Sequence, residues 1–429
     1  MSAMIRPANH VASYYAATAN RQTDYPILQG TESADICIVG AGFTGVATAL
    51  NLAERGYSVA VVEANRIGWG ASGRNGGQVI GGITGESKMA ARYGDGAADM
   101  LWEMRWRGND IICDRIEKHA IDCDLKFGYI DVALKQRHME DFHEECEWFE
   151  RHDFPYEFRL VQQDELPDII GTSAYIGGLI NMRNGHLHPL NLCIGEALAA
   201  ENLGVRFFEQ SSVTKIEHGP RPRVVTATGR VEADTVVLAG NAYHALERKH
   251  LGGLTFPAGS YIIATEPLAP DIVQRINPLD LAVCDMNNVV DYYRLSTDGR
   301  LLFGGRCNYS GREPRSIRKT LTPRMLKIYP ELADVRIDYE WGGKLAVVIN
   351  RTPMLGRIND NVYYSQGYSG HGVNTTHIAA EIIADAIGGT LERFDLFAKM
   401  DHFRIPVGQW LGNQMVALGM LYYRLRDIL

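Results

Sequence analysis

Asp35-Ile36-Cys37-Ile38-Val39-Gly40-Ala41-Gly42-Phe43-Thr44-Gly45 is the stretch whose reading decides the fold. Its first five residues form an apolar run, as in a parallel strand buried on both faces. From Val46 to Arg55, Ala47, Leu50 and Ala53 recur at helical spacing, and Gly56 stops the helix. Tyr57 to Val62 reads as a second buried strand, ending in Glu63 and Ala64. The result is a strand–turn–helix–strand unit with glycines where a dinucleotide fold needs them. Gly40 permits the tight turn, Gly42 lets backbone approach a pyrophosphate, and Gly45 lets helix pack close on strand. The free N–H groups and partial positive charge of the helix start suit that pyrophosphate. Glu63 is placed to accept hydrogen bonds from both ribose hydroxyls and to repel a 2′-phosphate. The pattern implies a bound dinucleotide without saying which one.

Working outward, the chain has 429 residues, enough for two domains and a large core. Hydrophobic residues make up 46% and charged residues 22%, an ordinary balance for a globular enzyme. A net charge of −8 with no basic run argues against nucleic acid as a partner. The seven cysteines include no CxxC pair, which fits reduced thiols in a cytoplasmic protein and no metal site. Residues 1–30 lack the apolar core of a secretory signal, and no apolar run is long enough to span a membrane. The apolar tail from Ile405 to Leu429 is expected to pack on the protein's own surface, a membrane-surface helix being the alternative. The acids Glu144 and Glu145 read as a solvated helix face.

Beyond Glu63, a glycine-dense loop runs from Arg66 to Gln78, and helical spacing follows from Lys88 to His119. Phe127 to Leu134 alternates like a strand, and His138 to Arg151 is an amphipathic helix. Pro189 begins another helix after Gly185-His186-Leu187-His188. Short strands then follow, including Gly229–Glu232 and Thr235–Ala239. A second strand-rich stretch runs from Gly259 to Trp341. The strand Val362–Ser365 leads into Gly367-Tyr368-Ser369-Gly370-His371-Gly372 and a helix from Val373. The expected fold is α/β: a Rossmann-type dinucleotide domain with a mixed-sheet substrate domain inserted in two segments. Residues 1–87, 181–256 and 350–429 are assigned to the first, and 88–180 and 257–349 to the second.

A nicotinamide dehydrogenase would continue with strand–helix units after Glu63, whereas this chain leaves the domain and returns much later. The helix start after Gly372 suits the negative charge that develops on a flavin's pyrimidine edge during reduction. With Gly70-Ala71-Ser72-Gly73-Arg74-Asn75-Gly76-Gly77 and Gly185–Pro189, these pieces resemble the FAD-dependent superfamily of D-amino acid oxidase, glycine oxidase and sarcosine oxidase. The resemblance covers nearly the whole chain. It implies that Gly40, Gly42, Phe43, Thr44 and Gly45 hold the FAD pyrophosphate, with Glu63 and Ala64 at the adenosine ribose. Gly70, Ala71, Ser72, Asn75, Gly76, Gly77 and Gln78 would follow the ribityl chain and ring. Val213 would meet adenine, Gly240 would line the inner cleft, and Gly367, Gly370, His371, Gly372 and Val373 would face the flavin's N1–C2=O edge.

Two departures sharpen the expectation. No cysteine precedes Thr352-Pro353 and no histidine lies in the glycine-rich loop, so FAD is expected to be non-covalent. Relatives that oxidise α-amino acids carry Arg-Pro soon after Trp-x-Gly, and that arginine pairs with the substrate carboxylate. Here Trp341-Gly342-Gly343 is followed by Lys344-Leu345. This suits a small-molecule primary amine remote from its carboxylate, such as gamma-glutamylputrescine in polyamine breakdown. Lys344, Arg351 and Arg294 remain alternatives for a carboxylate contact. Tyr293, Trp341, Lys344 and His371 are the candidates for the substrate pocket, although Tyr292 and Tyr293 alternate and at most one faces it. The electron acceptor is oxygen or another carrier. The competing readings are a glycine, sarcosine or D-amino acid oxidase and a flavin redox protein without turnover.

Overall fold

The computed structural model describes residues 9–308, 313–405 and 412–419, which build two sheets. The strands are β1 (Gly30–Val39), β2 (Val59–Val62), β3 (Gln78–Val79), β4 (Lys126–Ala133), β5 (Phe158–Gln162), β6 (Gly177–His186), β7 (Arg206–Phe208), β8 (Lys215–Glu217) and β9 (Arg223–Val225). They continue with β10 (Gly229–Leu238), β11 (Phe256–Thr265), β12 (Ala282–Asp285), β13 (Asp291–Leu295), β14 (Leu301–Asn308), β15 (Ile337–Val347), β16 (Met354–Asn359) and β17 (Val362–Gln366).

The first sheet runs β16-β17-β10-β1-β2-β7, with β8 and β9 as an antiparallel appendage on β10. Strands β17, β10, β1, β2 and β7 are parallel. Ile36 and Ile38 of β1 enter the core shared with the Phe43–Ala53 helix, while Cys37 and Val39 enter the core on the other face. Burial on both sides explains the unbroken apolar run. The two strands expected at 229–232 and 235–239 are one, because β10 pairs with β1 continuously from Gly30↔Gly229 to Val39↔Leu238 except at a single position.

The second sheet runs β15-β11-β14-β13-β12-β4-β6-β3, with β5 beside β6. It is mixed: β12 and β4 are parallel, whereas β4–β6, β12–β13, β13–β14, β11–β14 and β11–β15 are antiparallel. The chain leaves the first sheet after β2, returns at β7, leaves again after β10 and returns at β16. Two segments differ from the expected division. Gln78–Val79 and the last residues of β6 pair within the second sheet, because β6 is one continuous strand bonded to β4 and β3 through His186.

Helices Phe43–Ala53, Arg107–His119, Pro189–Asn202 and Gly372–Ile387 meet around one buried charge cluster. Arg115 Nη1 donates to Glu196 Oε1 at 2.6 Å, and its Nη2 donates to Ala47 O and Asn51 Oδ1. His377 Nε2 lies 3.0 Å from Glu196 Oε1. Burial opposes the charge on Glu196, but His377 and Arg115 hold its carboxyl at about 2.

Of the tail, residues 412–419 are helical, and Val416 and Ala417 pack on Ala258, Val289 and Val347. Residues 406–411 and 420–429 lie outside the described residues. Glu145 departs from the solvated face expected of it: it is partly buried and pairs with Arg105 at 3.2 Å, while Glu144 is exposed.

Gly45 carries the tightest constraint in the turn. A Cβ there would sit 1.9 Å from Gly40 O. The Gly45→Val variant is expected to lose on the order of 3 kcal/mol or more. Thermal unfolding of the apoprotein and FAD retained through gel filtration measure it; native-like values for both contradict the account.

Candidate cofactor and substrate site

The carboxyl ends of β1, β2, β10 and β17 open on one crevice, at the point where connections from β1 diverge to its two sides. Gly40 turns the chain there with φ +105°, its N–H donating to Val62 O at 2.9 Å. The Phe43–Ala53 helix starts at Gly42 without a side-chain cap at that residue. Ser72 instead accepts from Phe43 N–H at 2.8 Å, so the glycine-dense loop is fastened to the helix start. Glu63 lies at the rim, Oε2 accepting from Ala41 N–H and Oε1 from Asn65 N–H, each at 2.8 Å. Burial pushes its carboxyl up, which those N–H groups oppose. Ala64 follows Glu63 along the same edge. Val213 belongs to the segment beside it, where Ser211 N–H donates to Glu63 O at 2.8 Å. Gly240 lies two residues past the end of β10, with Ala239 N–H bonded to Val39 O.

The Gly70–Gln78 loop is held at many points. Ala71–Gly73 is a 3₁₀ turn, and Asn75 donates to Ala71 O and Ser72 O while accepting from Gly77 N–H. A Cβ on Gly70 would meet the Tyr243 ring at 3.3 Å, and one on Gly77 would come within 2.2 Å of Leu187 O. Gln78 Nε2 reaches Val283 O on β12 at 3.0 Å. Arg294, 4% exposed, straps the loop to the second sheet through Gly76 O and Leu187 O, both at 2.8 Å, and through the Tyr15 hydroxyl.

The third expected contact is the turn before the Gly372–Ile387 helix. Gly367 and Gly370 have φ of +80° and +99°, and Gly367 N–H donates to Asn241 Oδ1. Tyr368 bridges this turn to the first helix, its hydroxyl lying 2.8 Å from Thr44 Oγ1 and 2.6 Å from Ser365 Oγ. His371 stands at the cap position without a side-chain capping bond, leaving the first N–H groups around Gly372 and Val373 for another acceptor. Its Nε2 points instead at Gly81 O, 3.1 Å away, and burial lowers its pKa. Two helix starts, a rim carboxylate and a backbone cradle with no room for side chains fit a flavin dinucleotide.

The pocket candidates divide. Trp341 is 3% exposed, packs edge-on against Tyr15, and donates through Nε1 to Arg74 O at 3.0 Å, so it walls the loop. Tyr293 does not face the loop. Its ring stacks on Phe303, its hydroxyl meets that of Tyr175, and it belongs to the core on the far face of the second sheet. Strand alternation gives the near face to Tyr292, whose ring occupies the space beside Gly76 and Gly304. Lys344 is exposed and, by the same alternation, on the opposite side of β15 from Trp341 and Gly343.

Arg294 is taken up by backbone carbonyls, and Arg351 Nη1 lies 3.3 Å from Ser369 O. His186 is buried against Asp280 O, and burial with nearby Arg294 lowers its pKa to about 3. His188 caps the Pro189–Asn202 helix, accepting at Nδ1 from Asn191 N–H, so its Nε2 donates to Thr18 Oγ1.

Sequence reasoning passed over Arg74. Its guanidinium stacks on Trp69 at 4.1 Å and donates to Trp69 O and Gly342 O, while its buried Nη2 has no partner among the described residues. A cation inside a glycine-dense loop was the available signal.

Residues 35–386 match the model of a family described as FAD dependent oxidoreductase. Gamma-glutamylputrescine oxidoreductase of Escherichia coli (strain K12) is 41% identical over 420 residues, covering 97% of this chain and 98% of that protein. Probable oxidoreductase OrdL of Haemophilus influenzae is 40% identical, covering 97% of each. Glycine oxidase from Geobacillus kaustophilus superposes with a TM-score of 0.72 at 19% identity, over 87% of this chain and 100% of that one, a likeness of fold. The chain belongs to the DAO family of FAD dependent oxidoreductases.

Proposed function

We propose that the protein oxidises gamma-glutamylputrescine at its terminal primary amine, in the breakdown of putrescine. The carbon bearing a neutral amine gives up a hydride, and the imine left behind is hydrolysed to an aldehyde and ammonia. FAD, when bound, supplies the two-electron acceptor. The chain's own task is to hold the amine in line and exclude water. Trp341 and Tyr292 wall the space over the loop, and the N–H groups at Gly372 and Val373 supply positive potential on its far side. The same wall is expected to hold the cofactor without a covalent bond. Cys37 and Cys193, both free and buried, support a cytoplasmic setting.

The observation that carries this reading is the near face of β15. It presents Trp341, Gly343 and Leu345 with no arginine of its own, and the guanidinium beside it among the described residues is that of Arg74, whose side chain lies over Gly343. Arg294, on β13 three strands away, has its donors on backbone carbonyls and the Tyr15 hydroxyl. The unpartnered Nη2 of Arg74 suits a carboxylate at the other end of a longer molecule. Similarity to the Escherichia coli enzyme over nearly the full length supports the same substrate.

Anaerobic mixing of the holoenzyme with gamma-glutamylputrescine, putrescine, sarcosine and D-alanine tests the reading. Bleaching of the flavin by the first alone is expected. Bleaching by sarcosine or D-alanine would replace it with an α-amino-acid oxidase, and bleaching by none with a flavoprotein of another role. Acid precipitation should release all yellow colour to the supernatant; colour kept in the pellet would show a covalent bond. Tyr292→Phe should lower kcat/KM about tenfold, the worth of one hydrogen bond. Tyr293→Phe should leave kcat/KM unchanged, and the reverse pattern would reassign the pocket face.

A further inference from the structure

The near face of the second sheet continues past Tyr292 toward β4. Register sets Tyr292 of β13 opposite Cys284 of β12, and Cys284 opposite Asp131 of β4. Partners across a sheet share a face, so Asp131 stands two strands from Tyr292, roughly 10 Å away at ordinary strand spacing. Ile130 and Val132, which flank Asp131 on β4, point into the opposite core, as that parity requires. The loop reaches this place too, since Gln78 bonds Val283 O, next to Cys284. Asp131, Cys284 and Tyr292 are each partly accessible within an otherwise buried surface.

Asp131 is the carboxylate of this row on the near face. Tyr129, on the same face, donates its hydroxyl to Oδ1 at 2.9 Å. Among the described residues no lysine, arginine or histidine pairs with Asp131. Glu145, approaching from the Gln136–Arg151 helix, has Arg105. Asp285 and Asp291 are one residue out of phase with Cys284 and Tyr292, on the far face, where Arg324 pairs with Asp291. A carboxylate withdrawn from water without a cation is costly to keep, and such groups persist where a ligand supplies the charge.

We propose that Asp131 pairs with the terminal ammonium group of the substrate and takes up its proton. This rests on the amine oxidation proposed above. An ammonium has no lone pair to assist hydride loss. Transfer of one N–H proton to the free carboxylate oxygen leaves a neutral amine and a carboxylic acid, with no change in oxidation state. Burial, together with the Glu145 charge, raises the Asp131 carboxyl to about 7, a value suited to that exchange. The titratable groups acting on it are Tyr129, Cys284 and Asp285 on the sheet and Glu145 from the helix, the last paired with Arg105.

The test compares wild-type holoenzyme with Asp131→Asn and Asp131→Glu, using gamma-glutamylputrescine as substrate. N-butyl-gamma-glutamine, which lacks the terminal ammonium, serves as competitive ligand. Asp131→Asn should raise KM about 10- to 100-fold, the range of a charge-assisted bond. It should leave the inhibition constant of the butyl compound unchanged, and Asp131→Glu should recover part of the loss. In wild type KM should rise as pH falls below about 7, where Asp131 is protonated, and Asp131→Asn should lack that limb. Its Tm should not fall, because the carboxylate has no cation in the fold. Equal weakening of both compounds, an unchanged KM, or a lower Tm with KM and the inhibition constant both intact would overturn the proposal. Should Asp131→Asn fail to keep FAD, Asp131→Ser is measured in the same way. The wild-type arm reads the substrate separately: if another amine reduces the flavin, the comparison runs with that amine and its alkyl counterpart.

Discussion

The approach of Gly45 to the carbonyl of Gly40 is the constraint on which the rest depends. No side chain fits between them, so the Phe43–Ala53 helix lies directly on the turn after β1. That contact aims the helix start into the crevice and brings Ser72 within bonding distance of Phe43. The same helix receives Tyr368 through Thr44, so the turn at Gly367–Gly370 is positioned by it as well. The elements around the cofactor therefore share one mechanical reference.

The second sheet is coupled to that reference by a few polar ties. Arg294 spends its guanidinium on backbone carbonyls, binding β13 to the loop and to the segment entering the Pro189–Asn202 helix. Trp341 does the same from β15 with one N–H bond. Charged and polar groups buried for this purpose are satisfied, as the low dielectric around them requires. Two groups stand apart among the described residues: Arg74 Nη2, without a partner in the glycine-dense loop, and the carboxylate of Asp131, without a cation on the sheet face turned toward it.

Much of the expected cofactor cradle rests on requirements that are local. A tight turn, a close backbone approach and a helix start each demand glycine at a fixed place in the chain, and Gly40, Gly45 and Gly367 stand where the geometry needs them. The proposed substrate wall was not legible in that way. Asp291-Tyr292-Tyr293-Arg294 alternates under either phase, and nothing along the chain says which phase faces the loop. The choice falls to Tyr292 because β13 pairs with β14 so that Tyr293 stacks on Phe303 in the opposite core. Lys344 was misplaced for the same reason, one residue out of phase with Trp341.

The sequence by itself determined the dinucleotide unit, the flavin-type loops and the missing Arg-Pro after Trp341, since each is a statement about adjacent residues. Only the tertiary structure decided which side chains meet across strands. It set Asp131 in one row with Cys284 and Tyr292, which lie much further along the chain. It also turned Arg294 from a possible substrate clamp into a strap. Sheet register is fixed by packing over the whole domain, and a shift of one residue would send each of these groups to the other face.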